Sequence, residues 1–201
     1  YEFYGLNLTI ETLDGLIKHN GPVKNFTDFK KIFRKDQFRN KIVFNTFPSL
    51  EAQVAAISDD IAYNNHDLED GLRAGLFSFK KIVSMPHVSK LINRHVKNIK
   101  NFRKEIIISQ IVRDLINLMV VDVINTTNKN LKLCSPQSIN DIYKQDRLIV
   151  DFSVKMKKID KEIKEFLKRN MYNHKKVITS ANKGKRVIND LFKYLLKNPI
   201  T

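Results

Sequence analysis

The sequence predicts an all-α protein, and three of its features indicate this class. Apolar residues recur at helical spacing over long segments, whereas alternating strand patterns are almost absent. Glycine and proline are scarce, with 6 and 5 residues among 201, which permits long uninterrupted helices. Hydrophobic residues make up 42% of the chain, so its composition is that of a folded domain with a buried core.

The predicted helices follow one another with short breaks. The first begins at Thr9, a suitable N-cap, and ends at the Asn-Gly-Pro of residues 20–22, because glycine can cap a helix and proline cannot continue it. The second begins at Pro48 and runs to about His66, and its alanines would let a neighbouring helix approach closely. Further helices are predicted at 71–79, 87–98, 101–126, 138–144, 152–170 and 173–197, with a loop at 125–135 and a strand-like pattern only at 147–151.

The net charge indicates which partners the protein could bind, and the number of cysteines indicates its cellular compartment. The formal net charge of +15 favours polyanions such as nucleotides, nucleic acid or an anionic membrane surface, and charge alone does not choose among them. Cys134 is the only cysteine, which excludes an intrachain disulfide and favours a reducing cytoplasm. The sequence has neither a secretory leader pattern nor an apolar run of membrane-spanning length, so no membrane partner is expected.

One face of the second predicted helix carries the candidate chemistry. Asp59, Tyr63 and Asp67 are spaced i, i+4 and i+8, so they fall within roughly 80° of one face. A carboxylate, a phenol and a carboxylate in a row could hold a divalent cation at one end and a hydroxylated ligand at the other. On spacing alone, solvated carboxylates around a half-buried tyrosine are the more frequent explanation of such a row.

Longer motifs in the sequence favour a binding role for this row over solvated carboxylates. The chain contains LNLTIETLDGLIKHNGP at 6–22, SLEAQVA at 49–55, DDIAYN at 59–64 and HDLEDGLRAG at 66–75. These blocks, in this order, resemble the bacterial deoxyguanosine-triphosphate triphosphohydrolase-like proteins of the HD superfamily, and the likeness is strongest over 5–76. The resemblance implies the C-terminal portion of an HD-domain-like helical bundle, cut off at both ends. Residues 1–80 would form the C-terminal half of the HD core, and 81–201 a helical region packing on it.

The resemblance also implies an activity and a set of site residues. It implies hydrolysis of a dNTP to a deoxynucleoside and tripolyphosphate by a soluble, cytoplasmic enzyme with a divalent metal, Mg²⁺ or Mn²⁺, in a homo-oligomeric full-length protein. Asp59 would be a metal ligand, Tyr63 would line the deoxyribose pocket, and Asp67 would contact the 3′-hydroxyl. His66 either lines the same pocket or caps its helix. Candidate phosphate contacts, for each of which a solvated surface role is more frequent, are Lys18, Lys100, Arg103 and Arg113.

The expected metal site is incomplete in this sequence. The family's first metal histidine, its His-Asp pair and its catalytic residues are expected upstream of Leu6, and His66-Asp67 belongs to the later block instead. Because one carboxylate is too few for a metal site, we expect the chain to be inactive by itself. Because it begins at Tyr1 rather than Met, we expect it to be part of a larger product. Two alternatives remain open: a basic nucleic-acid-binding module with its footprint at 152–198, and an inactive structural remnant.

Overall fold

The computed structural model describes residues 6–25, 42–96 and 104–199, and all regular structure in these segments is helical. The predicted all-α class is therefore confirmed. Lys100 and Arg103, two of the candidate phosphate contacts, lie outside the described residues. The elements are α1 (Ile10–Ile17), α2 (Leu50–Arg73), α3 (Phe79–Val83), α4 (Pro86–Val96), α5 (Lys104–Cys134), α6 (Ile139–Tyr143), α7 (Val154–Leu167), a π-helical turn (Lys168–Tyr172) and α8 (Lys175–Lys197).

Helix α5 extends further than the sequence pattern suggested. The predicted loop at 125–135 is wrong, because the helix continues to Cys134 and ends at Ser135, whose φ of 40° lies in the left-handed region. Asparagine and threonine weaken the helical pattern there, but the Asn130 side chain donates to the carbonyl of Ile149 at 2.8 Å and ties this part of α5 down. Although α5 has 31 residues, the described segments contain no helix whose length and hydropathy would let it cross a membrane.

The chain divides into two compact units, each built from two stretches of sequence. The first comprises 1–63 and 116–156, and the second comprises 64–115 and 157–201. This division follows contacts, so the expected functional division near residue 80 stays a prediction. Buried apolar side chains of the first unit include Ile61, Met119, Ile142, Ile149 and Phe152, and those of the second include Leu68, Val88, Ile111, Leu115, Ile163 and Leu167.

In the first unit, helix α1 lies directly against α2. A Cβ atom at Gly15 would lie 2.9 Å from the Cβ of Ala52, so this approach requires glycine. The contact agrees with the close approach expected at the alanines of α2. It also fixes where the end of α1 lies relative to the α2 residues of the same unit.

A buried ion pair holds the other side of α1. Lys18 is only 1% exposed, and its Nζ lies 2.6 Å from Asp14 Oδ1 and donates to Thr46 Oγ1 at 2.9 Å. The same ammonium lies 5.3 Å from the centre of the Tyr143 ring. The suggestion that Lys18 contacts a phosphate is therefore wrong in this structure, because its charge is already neutralised inside the unit.

Gln53 connects the start of α2 to the segment before α7. Its side chain is buried, and its Oε1 accepts hydrogen bonds from the backbone N–H groups of Ile149 and Val150 at 2.9 and 3.0 Å. Its Nε2 donates to the carbonyl of Pro48 at 2.9 Å. The segment 147–151, which had a strand-like pattern, is thus a loop whose backbone pairs with a side chain instead of with another strand.

Replacing Gln53 with alanine should destabilise the protein strongly. The change leaves three buried backbone groups without their partner, and we expect the free energy of unfolding to fall by about 2–4 kcal/mol. Urea unfolding followed by circular dichroism measures this loss. The matched control is Ser58→Ala, an exposed position on the same helix, which should stay within about 0.5 kcal/mol of the parent. Equal losses in the two variants would contradict the assigned role of Gln53.

Candidate functional site

The three predicted site residues lie on one unbroken helix. Helix α2 runs for 24 residues without a proline, so Asp59, Tyr63 and Asp67 occupy successive turns as their spacing requires. Tyr63 is 59% exposed, which excludes the half-buried packing role considered for it, and the side chain of Asp59 is 68% exposed. His66 is exposed as well, and at seven residues from Asp59 it falls about 20° from it around the helix.

Asp59 has a histidine beside it. The Nε2 of His19, just past the end of α1, lies 3.6 Å from Asp59 Oδ2, and both side chains are exposed. The sequence motifs did not single out His19. The contact results from the packing of α1 on α2 within the first unit. Packing of this kind cannot be predicted from residues that are neighbours in the sequence.

Asp67 is held by a residue that the sequence analysis did not select. The hydroxyl of Tyr172, the last residue of the π-helical turn, donates to Asp67 Oδ2 at 2.5 Å. One turn earlier on α2, the buried Asn64 donates through Nδ2 to Asp160 Oδ1 of α7 at 3.2 Å. Two contacts thus tie this part of α2 to the segment formed by α7 and the π-helical turn, all within the second unit.

The last turns of α2 carry a compact charged network. Glu69 Oε1 accepts hydrogen bonds from Arg73 Nη2 at 2.6 Å, Arg73 Nε at 3.0 Å and Ser109 Oγ at 2.9 Å. Hydrogen bonds from Arg73 first, and then from Ser109, hold the pKa of Glu69 below its ordinary value. The carboxylate therefore stays ionised and joins α2 to α5 in the second unit.

The described residues supply metal donors of a suitable kind but in insufficient number. A carboxylate oxygen such as that of Asp59 suits Mg²⁺ or Mn²⁺, and His19 adds a nitrogen nearby. Over residues 6–25, 42–96 and 104–199, however, no three His, Cys, Asp or Glu side chains come together. A complete metal site would need further ligands.

The groove between α1 and α2 does not suit a triphosphate. This groove, of about 540 Å³, contains the carboxylates of Glu11 and Glu51 and no lysine or arginine. Most of its surface is apolar, with Gly15, Leu16 and Ala52 in its wall. His19, which lies beside Asp59, also lines this groove.

Comparisons with known proteins bear on the resemblance. Residues 150–201 match the family model of the phosphohydrolase-associated domain. Proteins named deoxyguanosinetriphosphate triphosphohydrolase-like are 49% identical in Pelagibacter ubique, 38% in Parvibaculum lavamentivorans and 36% in Bradyrhizobium diazoefficiens. Each alignment covers 98% of this chain. The chain is homologous to the deoxyguanosinetriphosphate triphosphohydrolase-like proteins.

The homology extends over the whole candidate site and over only part of each relative. The alignments cover 53%, 51% and 52% of the three relatives, so the chain spans about half the length of the triphosphohydrolase-like proteins that it matches. Tyr172 lies inside the segment that matches the phosphohydrolase-associated domain. The predicted resemblance is thus confirmed, whereas the roles of individual residues stay predictions.

The Glu69 network predicts a pH-dependent contribution to stability. A carboxyl group whose pKa is lower in the folded than in the unfolded state stabilises the fold above its unfolded pKa, and the contribution disappears as pH falls through the folded value. We expect Glu69→Gln to be less stable than the parent at pH 7, and the gap to close only when the pH falls below the lowered pKa of Glu69. Urea unfolding at a series of pH values measures it. Arg73→Ala should reduce the same pH dependence, because only the Ser109 hydrogen bond then remains, and a gap that is constant with pH would contradict the assignment.

Proposed function

We propose that the protein containing this chain is a metal-dependent dNTP triphosphohydrolase, which converts a dNTP into a deoxynucleoside and tripolyphosphate. The supporting observation is the coincidence of two findings at α2. The homology to the deoxyguanosinetriphosphate triphosphohydrolase-like proteins covers this helix, and the helix displays Asp59, Tyr63 and Asp67 in successive exposed or half-exposed turns. A helix face that serves only for packing would not leave this row open.

The register of α2 assigns a different task to each end of the row. Eight residues separate Asp59 from Asp67, which is roughly 12 Å along the helix axis and leaves room for a sugar between them. Asp67 accepts a hydrogen bond from the 3′-hydroxyl, and the Tyr63 ring packs against the deoxyribose. His66, close to Asp59 in angular position, lines the same pocket.

Asp59 contributes one ligand to the divalent cation, Mg²⁺ or Mn²⁺. The remaining ligands come from residues other than those that the structure describes. A cation bound there supplies Lewis acidity and a water molecule of lowered pKa. The chain's own part is to place Asp59, and the imidazole of His19 lies 3.6 Å from that carboxylate.

The products test the reaction type. The complete gene product, incubated with dGTP or another dNTP and Mn²⁺ or Mg²⁺, should release tripolyphosphate and deoxynucleoside in equal amounts, detected by ³¹P NMR and chromatography. Release of pyrophosphate or orthophosphate would reject the proposal. Steep loss of binding to single-stranded nucleic acid with added salt, without turnover of any dNTP, would favour the nucleic-acid-binding module instead.

Asp59 provides the sharpest test of a single residue. Asp59→Asn should lower turnover at least about 100-fold, because an amide is a weaker metal ligand and carries no charge. Asp60→Asn is the matched control, since it removes the same charge one position along the helix, about 100° away. Similar losses in both variants would show that net charge, and not the ligand position, matters.

A further inference from the structure

The hydroxyl of Tyr172 donates a short hydrogen bond to the carboxylate of Asp67. Its length of 2.5 Å lies at the short end of the range for hydroxyl donors to ionised carboxylates. The phenol is 37% exposed and the carboxylate is half-buried, so the bond lies at the edge of the exposed row on α2. Tyr172 is therefore next to the proposed sugar site without belonging to the helix that forms it.

The π-helical turn brings Tyr172 to this position. The turn closes with a hydrogen bond from the Asn173 N–H to the Lys168 carbonyl at 3.1 Å. This bond spans five residues, whereas an α-helical hydrogen bond spans four. The Asn170 side chain donates to the carbonyl of Phe166 at 3.0 Å and supports the turn from within. Turns of this kind occur often at functional sites, because they redirect one side chain within a helix.

Two contacts hold α7, from which the turn continues: one with α2 and one with the segment that follows α2. Asn64 pairs with Asp160, which is also held by Lys164 at 2.9 Å, and Phe166 packs edge-to-face on Phe77 with ring centres 4.8 Å apart. These contacts support the segment that carries Tyr172, and the phenol engages one oxygen of the Asp67 carboxylate. Pre-organisation of this kind lowers the cost of binding, because the carboxylate has less rotational freedom to lose.

We propose that Tyr172 is a positioning residue, which orients the Asp67 carboxylate so that it recognises the 3′-hydroxyl of the substrate sugar. The proposal rests on the proposed function for the role of Asp67. The Tyr172 hydroxyl donates to Oδ2 of Asp67, and the other carboxylate oxygen, Oδ1, accepts the sugar hydroxyl. Tyr172 thus acts on sugar specificity through Asp67 and not through the phosphates.

This role can be tested in the complete gene product by changing one residue of the protein and one hydroxyl of the substrate, separately and together. The parent protein is compared with Tyr172→Phe on a dNTP and on the matching 2′,3′-dideoxy-NTP, which lacks the hydroxyl that Asp67 binds. We expect Tyr172→Phe to reduce the dNTP preference in kcat/KM by about 3- to 10-fold, mostly through KM, and to leave the dideoxy substrate almost unaffected. Tyr194→Phe, at an exposed tyrosine of α8, is the matched control and should change neither.

The outcomes separate this proposal from the proposed function. If the parent hydrolyses dNTPs and Tyr172→Phe slows both substrates equally, the positioning role is overturned while the function stands. If the parent hydrolyses no dNTP, both proposals fail. Should Tyr172→Phe lower the melting temperature, Asp67→Asn gives the decision: adding Tyr172→Phe to it should not change the substrate preference further, and an additive change would overturn the positioning role.

Discussion

The unbroken register of α2 is the constraint on which the proposed nucleotide site depends. Asp59 and Asp67 have their assigned tasks only if two full helical turns separate them on one face. A kink between them would rotate one carboxylate away from the other. The helix has no proline between Leu50 and Arg73, and its one glycine, Gly71, lies beyond the row.

Buried polar contacts hold α2 before this row and within it. Gln53 satisfies three backbone groups in the first unit, and Asn64 reaches Asp160 in the second. Polar groups that are buried and fully paired specify one arrangement, because any shift leaves a donor or acceptor without a partner. The residues that touch the proposed substrate can then be exposed without making the helix unstable.

The sequence predicted the local features of this protein and not its long-range contacts. The row at Asp59, Tyr63 and Asp67 could be recognised because helical spacing is a property of neighbouring residues. The bond from Tyr172 to Asp67 joins residues 105 positions apart and depends on a π-helical turn that no sequence pattern signalled. The end of α5 was misplaced for a related reason, since weak helix formers at 125–130 are held in the helix by the tertiary contact of Asn130.

A crystal structure of the complete gene product with Mn²⁺ and a dNTP analogue that cannot be cleaved at its α-phosphate would test the central claim directly. The account predicts that the cation lies on Asp59 and that the sugar 3′-hydroxyl lies within hydrogen-bond distance of Asp67, with Tyr63 against the ring. A nucleotide bound away from this face of α2, with Asp59 and Asp67 both in contact with solvent, would contradict it.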